Sequence, residues 1–496
     1  MCSTPNHLWG SESVTREGLL QKITLLTLLA PVQEPPRTHE LFGHQQRTLT
    51  IYQEAEIASN LAFLSRRSAD SQNVAAIGLE EKEDGQGITV RVAVNGNRLG
   101  SVVEGLTCIC NVIQSLVHNG ALLSVNIDLL LEEVVRLNIP RLKSRLKVRK
   151  KHNIDLSPIP QLVKICRDIN VDAEANRVLL ALEMLTRVFK EASSSPPTQA
   201  TYQTAANIVK LAFELTATNV LEVVDRCAAE RHNVARYTDT VRKLGQYFRA
   251  TKQLVLAATS SRGSRLFRHL QVCAFQIEVP CCIREQGCSN SGTAAVQAAC
   301  SPVARRNLRQ RFHCSEEAIE SRVKEKLDKA KPGMKVHAEI QLLFFYECHE
   351  IRQPPRLIAA SKSSCYLCNL FVQLHGRFQV VSTFGKLNER WILPDWLLGI
   401  DSVQQRRLCQ VVEQFEAVLT GRCERSVNIT KKLTDPIESM IALSAVWHDS
   451  VTTAPLYGFD RSEGGSFLHN TTMQASIATQ RQDKIYLRRA SCPLSC

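Results

Sequence analysis

Apolar residues follow two different periods along this chain. Asn73 to Leu79 and Ile88 to Val94 are short β-prone runs on either side of a polar loop that contains Gly85 and Gly87. Such a pattern predicts a β-hairpin. From about Ser101 to Thr259 apolar residues recur at spacings of three and four, which predicts a series of amphipathic helices.

The second half mixes both kinds of element. His269 to Val279 is a strand candidate, and Ser315 to Lys329 has the pattern of a charged amphipathic helix. After Gly399 we expect helices at about Val403 to Leu419 and near Pro436 to Trp447. The last 40 residues are polar, and we expect them to be disordered.

Composition narrows the class of protein. Of 496 residues, 44% are hydrophobic and 22% are charged, which excludes a wholly disordered chain. The net charge of +13 is compatible with phosphate-bearing partners, and the 18 cysteines are too scattered for a disulfide framework. The Leu-rich stretch from Leu19 to Ala30 is too short to span a bilayer and lacks the flanks of a signal peptide. We therefore expect a soluble intracellular protein, cytoplasmic or nuclear, without a membrane partner.

One segment carries candidate chemistry. His337 and Glu339 form a His-x-Glu motif, and Cys365 and Cys368 form a Cys-x-x-Cys pair that begins 28 residues after His337. A helical run, a loop marked by Pro354 and Pro355, and a strand-like run lie between the two motifs. Each motif therefore falls at the start of a predicted helix.

This order of elements suits a metal site. Two cysteines three positions apart can face the same way in a first helical turn. The partial positive charge of a helix N-terminus favours their thiolates. With His337 as third ligand, a tetrahedral Zn²⁺ would keep one position for water. Glu339 would then move a proton without touching the metal.

The spacing of these motifs resembles that of zinc-dependent nucleobase deaminases. The longer matches, His337 to Leu342 and Ser361 to Cys368, are similar to a mainly fungal deaminase-like family, and His375-Gly376 and Trp391 to Pro394 extend the similarity. It is strong over about residues 333–396. Ser364 stands where most deaminases have proline, and Phe384 where the family often has histidine.

The resemblance implies a specific fold and reaction. The fold would be a cytidine-deaminase-like α/β/α sandwich, with a β-hairpin ahead of the His-bearing helix. The reaction would be hydrolytic deamination of a nucleobase in a nucleotide or nucleic acid by zinc-bound hydroxide. His337, Cys365 and Cys368 would bind zinc, and Glu339 would be the catalytic acid and base.

No hairpin pattern directly precedes His337, so we predict a discontinuous domain. The missing hairpin is assigned to Asn73 to Val94. The predicted organisation is an N-terminal segment at 1–54, the first part of the deaminase-like domain at 55–100, a mainly helical insertion at 101–330, the second part with the zinc motif at 331–400, C-terminal helices at 401–456, and a polar tail at 457–496.

Three further residues are candidates for substrate binding. Asn95 follows the second hairpin strand, where deaminases usually place a substrate-contacting asparagine. Lys362 adjoins the cysteine loop and could reach a phosphate, although a solvated lysine is an equal alternative. Trp391 could stack on a base, although a single aromatic residue in an apolar run is more often part of the core.

The run from Arg141 to His152 is a candidate nucleic-acid surface. It alternates basic residues with Leu142, Leu146 and Val148, so one face could be anchored while the other meets phosphates. A nuclear-import signal and a solvated helix face are the competing interpretations.

A second class of function also fits the sequence. A non-catalytic helical scaffold with a structural zinc site would keep the same ligands. In an enzyme, Glu339 should face an open metal position in a pocket large enough for a base, whereas in a scaffold side chains should fill that pocket.

Overall fold

In the computed structural model, five strands form one mixed sheet near the candidate site. The structure describes residues 8–43, 47–67, 73–119, 121–146, 150–151, 154–155, 157–169, 171–192, 196–227, 234–285, 295–397 and 399–428. These residues belong to one compact unit, residues 1–450. The predicted helix near Pro436 to Trp447 and the tail at 457–496 lie outside the described residues.

The strands within these ranges are β1 Arg37–Thr38, β2 Ala75–Glu81, β3 Ile88–Val94, β4 Lys150–Lys151, β5 Ile154–Asp155, β6 Leu270–Ala274, β7 Leu357–Ala360, β8 Gln379–Val380 and β9 Ser382–Thr383. The α-helices are α1 Arg16–Leu29, α2 Ile51–Leu64, α3 Leu99–Asn119, α4 Leu123–Arg145, α5 Pro158–Asp168, α6 Ala173–Ala192, α7 Gln199–Ala217, α8 Val220–Cys227, α9 Val234–Thr259, α10 Gly263–Leu266, α11 Cys281–Glu285, α12 Ala295–Ala299, α13 Pro302–Phe312, α14 Glu316–Ala330, α15 Ala338–Cys348, α16 Tyr366–His375 and α17 Ser402–Val427. Short 3-10 turns lie at Leu8–Gly10 and Lys331–Gly333.

The sheet has the order β6-β3-β2-β7-β8. Strands β2 and β3 form the predicted antiparallel hairpin, with Ala75 opposite Val94. Strand β7 pairs antiparallel with β2, so the hairpin lies directly beside the strand that leads into the cysteine loop. Strands β6 and β8 close the two edges, each parallel to its neighbour.

Side chains alternate between the two faces of the sheet. Ile77, Val92 and Leu357 belong to a core shared with helices α2, α3, α4 and α9. Ala76 and Ile358 belong to a second core shared with α1, α15, α16 and α17. Because successive strand residues point to opposite faces, the sheet separates two helical layers, an α/β/α arrangement.

The described residues between Leu99 and Thr259 form α3 to α9 and the small β4–β5 ribbon, which confirms the predicted helical region. Strand β6 lies in the predicted strand His269 to Val279 and pairs in parallel with β3. This part of the predicted insertion therefore extends the sheet. The predicted C-terminal helix is also present, and as α17 it runs on to Val427 behind a capping box at Asp401.

One helix in the described part of the chain is long and apolar enough to cross a membrane by length and composition, at Leu99–His118 with a mean hydropathy of 1.4. Leu106, Ile109 and Ile113 on this helix are nevertheless fully buried, and α3 packs on α4, α9 and β6. Because 39% of this window is buried, α3 packs as an amphipathic helix with one face on its neighbours.

Candidate functional site

His337 occupies the N-cap of α15, immediately before its first turn. An N-cap side chain usually accepts a hydrogen bond from the first-turn backbone, but the His337 side chain makes none. Asn95, at the end of β3, caps the helix instead, because its Oδ1 accepts a hydrogen bond from the backbone N–H of Ala338 at 2.5 Å. The imidazole is thereby left to face the cysteines.

Cys365 occupies the corresponding N-cap of α16. Its Sγ accepts a hydrogen bond from the backbone N–H of Cys368 at 3.4 Å. The three-residue spacing brings both sulfurs to one side of the first turn, as the sequence predicts. Both motifs therefore begin helices.

The three predicted ligands converge. His337 Nδ1 lies 3.6 Å from Cys365 Sγ and 3.4 Å from Cys368 Sγ. All three ligand atoms lie within 4.8 Å of one another, and the residues are buried. A tetrahedral Zn²⁺ with ordinary Zn–N and Zn–S bond lengths requires an N···S separation of about 3.6 Å. The donor set and its geometry thus fit one zinc ion.

The two thiols differ in acidity. Burial raises the pKa of Cys365, but hydrogen bonds from Cys368 and the neighbouring His337 imidazole outweigh burial and hold that pKa well below its usual value. Burial and the interaction with Cys365 raise the pKa of Cys368 well above its usual value. One thiolate forms readily, and a second beside it requires a compensating cation.

Glu339 lies in the first turn of α15 with only 3% of its surface exposed. Its Oε2 is buried and has no hydrogen-bond partner among the described residues. Burial raises the pKa of this carboxyl group, partly opposed by His337 and by a hydrogen bond with the Ser364 hydroxyl. A buried carboxylate oxygen without a partner is costly, and this one lies beside the three candidate ligands.

Asn95 and Lys362 are the two partly exposed candidates. Asn95 is joined to the start of α15, as described above, so it lies at the site. Lys362 lies in the loop between β7 and Cys365, next to Ser361, whose hydroxyl accepts a hydrogen bond from the Ala75 N–H. Their predicted contacts with substrate remain predictions.

Trp391 is fully buried. Its ring packs on Phe371 and Phe415, with centroids 6.3 and 5.5 Å away, and because it has no exposed surface it presents no face to a base. The surroundings of Trp391 therefore agree with the alternative prediction, a position in the core, rather than with stacking on a base. Its Nε1–H has no hydrogen-bond partner among the described residues, but the indole lies close enough to Cys368 to oppose the rise in the pKa of that thiol.

Gln341 is a site residue that the sequence reasoning missed. Its Nε2 donates to the carbonyls of Val94 and Val336, and its Oε1 accepts from the Ile277 N–H, all at 2.9 to 3.0 Å. This buried amide ties the end of the hairpin to the segment before His337. The sequence signal that could have identified Gln341 is its position one helical turn after His337, within the segment His337 to Leu342.

Strand β1 of the N-terminal segment pairs with β9, which in turn lies beside the cysteine loop. Ser364 exchanges backbone hydrogen bonds with Ser382 and Phe384, and β1 pairs with β9 across that same segment. Gly385 has a φ of +70°, and a Cβ there would lie 1.9 Å from the Glu34 carbonyl oxygen. Phe384 itself is buried, so the position where histidine was expected is part of the core.

Two residues of the basic run face inward. Arg141 is 6% exposed and donates to the Arg66 carbonyl, and Arg145 lies over the rings of Phe63 and Tyr247. Both guanidinium groups therefore have partners within the helical layer. The side chains from position 147 to 152 lie outside the described residues, so phosphate binding there remains a prediction.

Comparison with known proteins gives one finding. Residues 336–395 match the family model described as OTT_1508_deam, a "-like deaminase". The matched segment contains all three candidate ligands and Glu339. No curated protein and no solved structure matches the chain significantly. This part of the chain is therefore similar to a deaminase-like family.

Proposed function

We propose that the chain is a zinc-dependent hydrolytic deaminase acting on a nucleobase, in a nucleotide or a nucleic acid. One observation carries the proposal: a buried carboxylate oxygen of Glu339, without a hydrogen-bond partner in the described part of the chain, lies beside a His-Cys-Cys cluster of zinc-compatible geometry. Similarity of the same segment to a deaminase-like family supports it.

In this proposal His337, Cys365 and Cys368 would hold Zn²⁺, which when bound would acidify the attacking water. Glu339 accepts a proton from the attacking water and delivers it to the exocyclic nitrogen. A C–O bond forms, the C–N bond breaks, and ammonia leaves. Burial raises the pKa of Glu339, and a raised pKa suits a carboxyl group that must both take and return a proton.

The test compares purified wild-type protein with Glu339→Gln and Cys368→Ser. Ammonia release is measured on a panel of nucleosides, nucleotides and single-stranded oligonucleotides, and zinc content by elemental analysis. We expect Glu339→Gln to keep zinc and lose at least about a hundredfold in activity, whereas Cys368→Ser loses zinc. Glu350→Gln, an exposed glutamate just beyond α15, is the matched control that should change neither.

The non-catalytic scaffold is the second candidate, and the burial of the cluster favours it: His337 and Cys365 are each 4% exposed and Cys368 is 0% exposed. A structural zinc does not need Glu339. If the protein binds zinc stoichiometrically, releases no ammonia from any substrate, and is as stable with the Glu339→Gln substitution as without it, the site is structural.

A further inference from the structure

The imidazole of His337 lacks the support that usually orients a metal-binding histidine. The ring nitrogen that does not bind the metal is ordinarily held by a carboxylate or a backbone carbonyl. Nδ1 of His337 faces the two sulfurs, and its buried Nε2 has no hydrogen-bond partner in the part of the chain that the structure describes. The direction of the ring therefore depends on how the backbone on either side of His337 is held.

Gln341 holds both peptide units that flank His337. Its side-chain Nε2 donates to the Val336 carbonyl at 2.9 Å, which belongs to the peptide unit before His337. Its backbone N–H donates to the His337 carbonyl at 2.8 Å, which belongs to the peptide unit after it. Because φ and ψ of His337 are set by these two units, Gln341 constrains the direction in which the imidazole leaves the backbone.

The same amide also holds the residue that caps the helix. Nε2 of Gln341 donates a second hydrogen bond to the Val94 carbonyl at 2.9 Å. The next residue, Asn95, accepts the hydrogen bond from the Ala338 N–H. That N–H is part of the peptide unit between His337 and Ala338. The hydrogen bonds from Gln341 therefore reach this peptide unit by two routes, one along α15 and one through the end of β3.

The orientation of the Gln341 amide is defined by its partners. Oε1 accepts from the Ile277 N–H at 3.0 Å, while Nε2 faces two carbonyl oxygens. A flipped amide would place its oxygen against those carbonyls, so only one orientation satisfies all three contacts. Gln341 is 2% exposed. A side chain without its donors would therefore leave buried carbonyls unpaired.

We propose that Gln341 is a positioning residue of the metal centre, which holds His337 at the start of α15 so that its Nδ1 faces the two cysteines. The inference rests on the metal site of the proposed function, but it does not depend on turnover. Without Gln341 the metal itself would have to order the imidazole, so metal binding should weaken. Loss of such a supporting contact typically lowers metal affinity by about tenfold to a hundredfold.

Titration of the metal-free full chain with Co²⁺ tests the proposal, with circular dichroism as the check on folding. Co²⁺ binds the same nitrogen and sulfur ligands as zinc, and its visible absorption bands report the geometry of those ligands. Gln341→Met keeps the approximate volume of the side chain and removes its three hydrogen bonds. We expect the Co²⁺ dissociation constant to rise at least about tenfold, with altered visible bands. Wild-type affinity and wild-type bands in this variant would overturn the proposal.

Asn138→Leu is the matched control for a loss of stability. Asn138 is a fully buried amide on α4, and its Nδ2 donates to the carbonyls of Leu64 and Val134 at 3.3 and 2.9 Å. Helix α4 packs on the opposite face of the sheet from α15. Asn138→Leu should therefore lower the stability of the fold and leave the Co²⁺ affinity unchanged. An equal loss of Co²⁺ affinity in both variants would overturn the proposal, because it would reflect general destabilisation.

Gln341→Glu is a second, milder variant. Burial favours its neutral carboxyl group, which can accept from the Ile277 N–H but has a single O–H for the two carbonyls. Its Co²⁺ affinity should lie between those of wild type and Gln341→Met, and an affinity equal to that of wild type would contradict the proposal.

The Co²⁺ titration also separates this proposal from the proposed enzyme activity. A wild type that binds Co²⁺ and loses affinity with Gln341→Met, but releases no ammonia in its zinc form, would support the positioning role and remove the enzyme. A wild type that releases ammonia, with unchanged Co²⁺ affinity in Gln341→Met, would do the reverse. A wild type that binds no Co²⁺ would overturn both.

Discussion

Asn95 allows a structural role to be separated from a role in substrate binding. Its Oδ1 accepts the Ala338 N–H at 2.5 Å and so caps α15, while its amide nitrogen is the group available to a substrate. Asparagine to aspartate keeps the acceptor and removes the donor. Asparagine to alanine removes both.

The two substitutions should therefore differ in stability. Losing an N-cap costs about 1 kcal/mol, and Ala338 is fully buried, so its freed N–H would find little water. Asn95→Ala should lose about that much. Asn95→Asp should fold as well as wild type, because a carboxylate at a helix N-terminus accepts the same bond and interacts favourably with the helix dipole.

In activity the two variants should be alike. Loss of one substrate hydrogen bond that leaves a polar group unpaired costs about 1–3 kcal/mol, or roughly fivefold to 150-fold in kcat/KM. The assay is steady-state ammonia release with thermal unfolding alongside. Asn97→Asp adds the same charge two residues away on an exposed side chain and should be neutral. Full activity in Asn95→Asp would show that Asn95 is a cap only.

Two other substitutions have defined outcomes. Trp391→Phe keeps the aromatic packing but removes the indole N–H near Cys368. We expect zinc binding, measured by chelator competition, to weaken by about tenfold or more while folding is unchanged. Unchanged zinc affinity would contradict a role of the indole in supporting the site. Burial alone would raise the pKa of Glu347, but His375 and Arg407 hold that pKa below its usual value. The ionised carboxylate therefore stabilises the fold fully above the ordinary carboxyl pKa, and this stabilisation is lost as the pH falls through the lowered pKa of Glu347. Glu347→Gln should cost about 2 kcal/mol at neutral pH and flatten the loss of stability on acidification, measured by urea unfolding from pH 7 to pH 3; an unchanged acid profile would refute the assignment.

Local sequence determined the elements that carry the metal motif. His337 and Cys365 fall at helix N-caps because apolar helical runs begin directly after them. The hairpin from Ala75 to Val94 follows from β-prone runs around a glycine-containing loop. In each case the residues that form the pattern and the element they predict lie within a few residues of one another. The local sequence was therefore sufficient to predict these elements.

Only the tertiary structure decided what surrounds that motif. The cap that Asn95 provides for α15 joins residues 243 positions apart, and β6 becomes a sheet edge only because β3 is available beside it. Arg141 turns inward and Trp391 is enclosed by rings from two helices. Burial and pairing of this kind depend on which distant surfaces meet, and no local period or spacing records that.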